Sequence, residues 1–169
     1  AHAPDAADRR VLLVADTVTA FSRPAIARDA VAVLEAAGCH VTVPDGLTDV
    51  GRPALSTGFL DRARATAREA VDALAPAVRD GFDVVLTEPS DAVMVQSDYA
   101  DLVAGDDAAA VRANAYGLCE YLDRHDLLER IALDPSGETL AYHGHCHQKA
   151  TKKAGHAAAV LEAAGYDVD

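Results

Sequence analysis

The chain has 169 residues, enough for one substantial core; half of them are apolar and only 5% are aromatic. Its 27 acidic residues outnumber 15 basic ones, giving a formal net charge of −12, and a surface of that sign argues against nucleic-acid binding. No apolar run reaches the roughly 18 residues that cross a bilayer and no signal peptide is visible, so we expect no transmembrane segment.

The acidic composition also bears on the source and the compartment. The apolar fraction is too high for a disordered acidic chain, so the charge favours a hydrated surface of the kind that suits a halophilic, archaeal source. Cysteines stand at 39, 119 and 146 without a CxxC pair. We therefore expect no disulfide framework and a cytoplasmic protein.

Strand and helix signals alternate in the first half of the chain. After a polar lead-in over residues 1–10, "VLLVA" (11–15) predicts a buried strand, and apolar spacing from Ile26 to Leu34 predicts a helix ended by Gly38. "HVTV" (40–43) predicts a strand, 44–53 a loop, 58–79 a helix and "DVVLT" (83–87) a third strand. This alternation predicts an α/β fold with a parallel sheet and flanking helices.

The second half is predicted to be mainly helical before a last strand. Helices are expected over 91–103 and 107–130, a turn at "LDPSGE" (133–138), and a strand at "TLAYH" (139–143).

A repeat relates the two ends of the chain. "AVLEAAG" occurs at 32–38 and again at 159–165, an offset of 127 that also superposes strand 11–15 on residues 138–142. This predicts a duplicated Rossmann-like βαβ unit, with a first repeat over 11–137 and the start of a second over 138–169. The second copy stops where the first continues, so we expect the native polypeptide to run past Asp169.

Polar side chains follow each predicted strand. They lie in four segments, namely 16–17, 48–52, 88–91 and 143–149. Because ligands of open α/β sheets bind beyond the carboxyl ends of the strands, these segments predict one shared site.

The segment "YHGHCHQKATKK" (142–153) contains the residue types that bind metals. His143, His145, Cys146 and His147 offer imidazoles and a thiolate, and Asp49 and Asp91 could add carboxylates. The alternative is that the alternating histidines leave one face of a strand and bond to the backbone or water. Cys39 and Cys119 are interpreted as packing residues.

Basic residues near these histidines raise a second possibility. Lys149, Lys152 and Lys153 are all the lysines of the chain and could bind an anion, or else form a solvated helix face. Arg52 could clamp a carboxylate or pair with Asp49. The chain has no GxGxxG, P-loop, GxSxG or HExxH pattern, so NAD-type, nucleotide-hydrolysing, serine-hydrolase and zincin chemistry have no motif support.

Three segments together resemble a known family. "VLEAAGCHVTVPDGLTDVGRPALSTGFLDRAR", "EPSDAVM" and "YHGHCHQKA" are similar to the cysteine-rich CCG domain of heterodisulfide reductase B, glycolate oxidase iron-sulfur and glycerol-3-phosphate dehydrogenase C subunits. The nearest likeness is to the C-terminal part of fused FAD-linked oxidases of the D-lactate dehydrogenase type. The resemblance covers residues 11–169 and implies half-repeats whose cysteines hold 4Fe-4S-type iron-sulfur clusters.

The chain departs from that family at its cysteines. Where the family has Cys-Cys-Gly-Arg-Pro, this chain has Asp-Val-Gly-Arg-Pro, beginning at Asp49. Where the family has Pro-Ser-Cys, this chain has Pro-Ser-Asp, ending at Asp91, and Asp16 stands where the family often has a cysteine after the first strand. Only Cys146 keeps a family cysteine, so the first half-site cannot hold a thiolate-ligated cluster. The aspartates fit a scaffold that lost its metal, a site for a harder metal, or engineering.

The resemblance implies an electron-transfer accessory domain of an FAD-linked oxidoreductase acting on a 2-hydroxy acid (D-lactate or glycolate) or on glycerol 3-phosphate. The implied metal ligands are Cys146, His145, His143, Asp49 and Asp91, and the implied anion or substrate ligands are Arg52, His147 and Lys149. An iron-sulfur cluster is expected in the full-length protein and not in this piece, which we expect to be redox-silent.

The implied partner is an FAD-binding domain or subunit, through which the protein could reach the inner face of the membrane. One competing interpretation is a non-redox scaffold that docks a catalytic partner. Another is a stand-alone mixed-ligand metalloenzyme, which lacks a placed general base.

Overall fold

The fold was determined as a computed structural model that describes residues 9–133 and 137–169. Residues 9–117 contribute the strands of a parallel four-stranded sheet. Its strands are β1 (Arg9–Val14), β2 (Cys39–Thr42), β3 (Asp83–Leu86) and β4 (Ala115–Gly117), in the spatial order β2-β1-β3-β4. All three pairings are parallel, with Val11 opposite Val41 on one side and Asp83 on the other. This confirms the predicted α/β class. β1 begins at Arg9, so residues 9 and 10 belong to the sheet and not to a lead-in.

Helices cover both faces of this sheet. Alternate side chains of β1 point to opposite faces, so Leu12 and Val14 enter one core while Val11 and Leu13 enter the other. α1 (Pro24–Ala36) lies on one side and α3 (Leu60–Arg79) on the other, close to the predicted bounds of both helices. α1 begins with proline and is followed by Gly38 at a φ of 86°, the left-handed geometry that ends many helices.

The predicted helix over 91–103 is confirmed, whereas the predicted helix over 107–130 is wrong in part. The first is a continuous helical run over 89–102, made of α4 (Pro89–Val93), a π-helical turn (Met94–Asp98) and α5 (Tyr99–Leu102). The second comprises α6 (Asp106–Ala113), β4, α7 (Leu118–Arg124) and a 3-10 turn (Leu127–Arg130). β4 escapes sequence analysis because three residues carry no periodicity; pairing with β3 fixes its conformation.

The end of the chain forms a second, smaller strand-helix-strand unit. β5 (Thr139–Leu140) and β6 (Asp167–Val168) pair in parallel, connected through α8 (Cys146–Ala150) and α9 (Gly155–Ala163). The predicted strand over 139–143 is therefore only two residues long, and the predicted turn over 133–138 falls partly on residues 134–136, outside the described residues.

The two units share the order strand, helix, strand but differ in register. Thr139 lies opposite Asp167, whereas Leu12, its equivalent at an offset of 127, lies opposite Thr42 rather than His40. A shift of two residues keeps every side chain on its original face. The duplication stays a prediction with which this arrangement agrees.

One further observation concerns the bilayer. Within residues 9–133 and 137–169, no helix combines the length and apolar character that a membrane span requires.

Candidate functional site

A cleft of about 470 Å³ opens at the carboxyl end of the four-stranded sheet. Three of the four predicted segments line it, because the loops after β1, β2 and β3 end at the same edge. Four carboxyl groups and one guanidinium face it, from Asp16, Asp49, Glu88, Asp91 and Arg52. α2 (Arg52–Ser56), the short helix that carries Arg52, forms one wall.

Asp16 holds the turn after β1 together. Its Oδ1 accepts the backbone N–H groups of Val18 (2.8 Å) and Thr19 (3.2 Å), and its Oδ2 accepts the hydroxyls of Thr19 and Thr87. Partial burial acts to raise the pKa of Asp16, but these hydrogen bonds together lower it. Asp16 is therefore an ionised structural carboxylate with both oxygens in use.

Asp49 has a similar local role in the loop after β2. Its Oδ1 accepts the N–H of Gly51 at 2.7 Å, and the residue lines the cleft. The loop is anchored from below by buried Tyr99, whose hydroxyl donates to the carbonyl of Val50 at 2.9 Å. Arg52 donates to Ser56 Oγ and forms no salt bridge with Asp49, so the predicted Arg52–Asp49 pairing is not seen in the described chain.

Replacing Gly51 with alanine should distort this loop and lower the free energy of unfolding by about 2 kcal/mol. Gly51 has a φ of 96°, and an added Cβ would lie 2.9 Å from the backbone oxygen of Ala63. Chemical denaturation measures the loss. Gly46, also at positive φ but with nothing within 4 Å of an added Cβ, is the matched control and should lose about 1 kcal/mol. Equal losses at both positions would contradict a steric role for Ala63.

Asp91 is the carboxyl group with no local partner. The residue is only 8% exposed, it lies on α4, and no hydrogen bond to its side chain occurs among the described residues. Burial raises its pKa to about 7, with help from the charges of Glu88, Asp16 and Asp49 and against that of Arg52. Asp91 is therefore partly protonated near neutral pH.

The fourth predicted segment lies beside the cleft. His145, Cys146 and His147 each offer one ligand atom, and these three atoms lie within 4.8 Å of one another. The Nε2 of His145 is 3.8 Å from Oε1 of Glu88, and its Nδ1 is buried without a hydrogen-bond partner. The trio, as we call His145, Cys146 and His147, can therefore offer two imidazoles and a thiolate to one ion.

Residues 143–147 do not form a strand, so the alternative in which the histidines leave one face of a strand does not apply. Residues 143–145 are irregular and Cys146 begins α8, so the histidines do not alternate along a strand. His143 is outside the trio, and its Nε2 lies 3.5 Å from Nζ of exposed Lys149. His147 joins the trio and, with Arg52, lines a neighbouring cleft of about 390 Å³.

The structure thus divides the predicted ligands between two places. Asp49 and Asp91 face the cleft, with Glu88 between them and the trio. Glu88 was not among the predicted ligands, although its position two residues after β3 marks it as a strand-end residue. Glu88 is also the N-cap of α4, since its Oε1 accepts the N–H of Ser90 at 3.0 Å.

Lys153 was predicted with the other lysines to bind an anion or face solvent, and both interpretations are wrong. Its Nζ donates to Oε1 of Glu120 (2.9 Å) and Oε1 of Gln96 (2.6 Å). Glu120 is 3% exposed; burial acts to raise its pKa, but Gln96, Lys153 and Arg124 together lower it. This buried network joins the two units. The sequence did not reveal this network, because the predicted helix over 107–130 placed Glu120 in a helix interior instead of next to β4.

The two other cysteines are apart from the trio. Cys39 is buried at the start of β2, as the packing interpretation predicts. Cys119 is half-buried on α7, where burial raises the pKa of its thiol.

Comparison with known proteins found similarity over the greater part of the chain. It is 30% identical over 129 residues to lactate utilization protein A of Shouchella clausii, which covers 73% of this chain and 52% of that protein. The proteins of the same name from Geobacillus thermodenitrificans and Geobacillus kaustophilus are 25% and 26% identical over 127 residues, covering 72% of the chain and 51% of each. The chain therefore spans about half the length of the curated relatives it matches. No family model and no solved structure matches it.

These relatives support a general likeness to CCG-domain proteins without identifying a particular family. They are weakly similar proteins named for lactate utilization, which is consistent with a CCG-like domain and with the lactate member of the predicted substrate classes.

Proposed function

We propose that the chain is an electron-transfer accessory domain of an oxidoreductase that uses a 2-hydroxy acid, with lactate as the first candidate substrate. The observation that carries the proposal is the trio at the edge of the site, in a chain similar to lactate utilization proteins A. Glycolate and glycerol 3-phosphate are the alternative substrates. The FAD would belong to a partner domain or subunit, in the cytoplasm or at the inner face of the membrane.

The residues present do not fit an all-thiolate iron-sulfur cluster. Such clusters take four cysteines, and this chain has three, of which Cys39 and Cys119 lie apart from Cys146 in the core and on α7. A cluster at Cys146 would need thiolates from outside this chain.

The trio fits a single ion better. Two imidazoles and a thiolate form three sides of a tetrahedral site of the kind that Zn²⁺ prefers. The Nδ1 of His145 lacks a partner in its buried position, so a bound ion or a small rotation of the ring would satisfy it. Glu88 is near enough to His145 to orient its ring through the other nitrogen.

Anaerobically purified protein should bind about one equivalent of a thiophilic divalent metal, and Cys146→Ser should weaken that binding at least about tenfold. The measurement is metal analysis after titration with Zn²⁺ and Fe²⁺, with the optical spectrum recorded at each step. Cys119→Ser is the matched control, because that thiol lies outside the trio, and should leave binding unchanged. Equal loss in both variants, or none in either, would contradict a site at Cys146.

A longer version of the protein tests whether Cys146 belongs to a redox-active cluster or to a site for a single metal ion. If sequence following Asp169 in the gene is included, iron with broad visible absorption in that version alone would place Cys146 in a cluster completed from outside this chain. Absence of metal from both versions would overturn the electron-transfer proposal.

A non-redox scaffold is the second candidate. The observation favouring it is that Asp16 and Asp49, at family cysteine positions, bond to backbone N–H groups of their own turns. Side chains used in this way stabilise loops without any metal. A metal-free full-length protein that still bound its partner would support this candidate.

A further inference from the structure

The cleft of about 470 Å³ is lined by more carboxylate oxygens than hydrogen bonds and ion pairs within the described residues satisfy. Its lining includes four carboxyl groups and a single guanidinium, that of Arg52. Asp16 uses both oxygens within its turn, whereas Asp49 and Glu88 each use one oxygen for a backbone N–H group. The charge that remains open to the cleft is therefore supplied mainly by Asp91, Asp49 and Glu88.

Asp91 is the independent sign that the cleft receives a ligand. The residue is 8% exposed and lines the cleft, and within the described residues no donor reaches its carboxylate, whose oxygens open into the cleft. A carboxyl group buried in this way costs free energy unless donors or a positive charge reach it. A cationic ligand with several N–H groups would remove that cost.

A bare divalent ion does not suit the arrangement. In residues 9–133 and 137–169 the only group of three or more ligand atoms close enough to share an ion is the trio. No three of the cleft carboxylates among the described residues are therefore close enough to bind one ion directly at about 2.0–2.6 Å. A planar guanidinium spans larger separations and donates five N–H groups in a fork that matches carboxylates.

Exposed apolar side chains follow both segments that border the cleft. Val18 lines the cleft and is exposed, and three residues later Phe21 is 75% exposed. On the other border Thr57 lines the cleft, and Phe59 two residues later is 66% exposed. Two of the three phenylalanines of the chain are therefore exposed within three residues of a cleft-lining residue. Apolar side chains around a polar centre are typical of protein-protein interfaces.

We propose that this cleft receives an arginine side chain of a partner protein, with apolar residues next to that arginine packing on Phe21 and Phe59. The guanidinium would lie between Asp91, Asp49 and Glu88 and replace the donors that they lack. The surface goes beyond the proposed electron-transfer role and does not depend on metal at the trio. It identifies the partner by its chemistry, as a protein with an exposed arginine between apolar residues.

The test uses two capped tripeptides, acetyl-Leu-Arg-Leu-amide and the same peptide with citrulline, which keeps the shape and removes the charge. Each is titrated to about 5 mM into the uniformly ¹⁵N-labelled 169-residue chain, a range that detects dissociation constants near 1 mM. The arginine peptide should shift the amide signals of Thr17, Gly51 and Ser90 and bind at least about tenfold more tightly than the citrulline peptide.

Variants then locate the binding. Asp91→Asn should weaken the arginine peptide at least about fivefold, and Phe21→Ser with Phe59→Ser should weaken it about as much. Asp72→Asn, on the exposed face of α3, is the matched control and should leave affinity unchanged. Circular dichroism of each variant confirms that it is folded.

Several results would overturn the proposal. They are equal binding of the two peptides, no shift with either, or no effect of Asp91→Asn. Shifts of the same amides by MgCl₂ or ZnCl₂ and not by the arginine peptide would assign the cleft to a metal. Self-association that Asp91→Asn abolishes would assign it to a second copy of the chain.

Discussion

Replacing Lys153 with methionine should lower the free energy of unfolding by about 3 kcal/mol, the largest loss of stability we expect from a single substitution. The ammonium is the nearest positive charge to Glu120, which is 3% exposed and takes part in the network that joins the two units. Methionine keeps most of the length of the side chain but removes the closer of the two charged groups that pair with Glu120, leaving only half-exposed Arg124 at 3.1 Å. Urea denaturation at neutral pH measures the loss.

The control and the pH dependence distinguish this network from a general effect of charge. Lys149→Met, an exposed lysine of the same unit, should change stability by less than about 0.5 kcal/mol. Combining Lys153→Met with Glu120→Gln should recover much of the loss, because the buried charge is then gone.

Because the folded-state pKa of Glu120 is lowered, its contribution is present above the unfolded value of 4.5 and is lost as pH falls through the folded value. Single and double variants of equal stability would contradict the role of Lys153 as the partner of a buried charge.

Asp91→Asn should stabilise the protein progressively, relative to the unsubstituted chain, as pH rises from about 4 to 8. The folded-state pKa of Asp91 is about 7, raised above its unfolded value of 3.8. For a carboxyl group shifted in this direction, the folded state holds the proton more tightly, so stability is lost as pH rises between the two values. Because a shift of about three units corresponds to about 4 kcal/mol, that figure is the largest relative gain expected.

The measurement is the difference in free energy of unfolding between the two proteins at each pH, in EDTA. Taking the difference removes the titration of the other carboxylates and any constant effect of the amide. Asp72→Asn, at an exposed position, should give a flat difference over the same range. A flat difference for Asp91→Asn as well would show that its carboxyl group is solvated in solution.

The elements predicted correctly are those whose signal is long or repeated. The helix ended by Gly38 and the helix over 58–79 each carry an apolar face over several turns, and the strands at 11–15 and 83–87 are β-branched runs too short for helices. Because parallel strands end at one edge, the loops after β1, β2 and β3 could also be expected to meet.

The sequence by itself determined the parallel α/β class and the polar edge of the sheet, because both follow from local patterns of apolar and turn residues. It also predicted a soft-metal site at Cys146 and its histidines, because ligand chemistry is a property of residue type.

Only the tertiary structure decided that residues 115–117 pair with β3, that Lys153 neutralises Glu120, and that Asp91 is buried without a donor. It also placed His147 rather than His143 with Cys146. The first three depend on residues distant in sequence that packing brings together, and burial and pairing of that kind leave no mark on a local pattern. The last depends on the backbone turning into α8 at Cys146, where the sequence predicted a strand end.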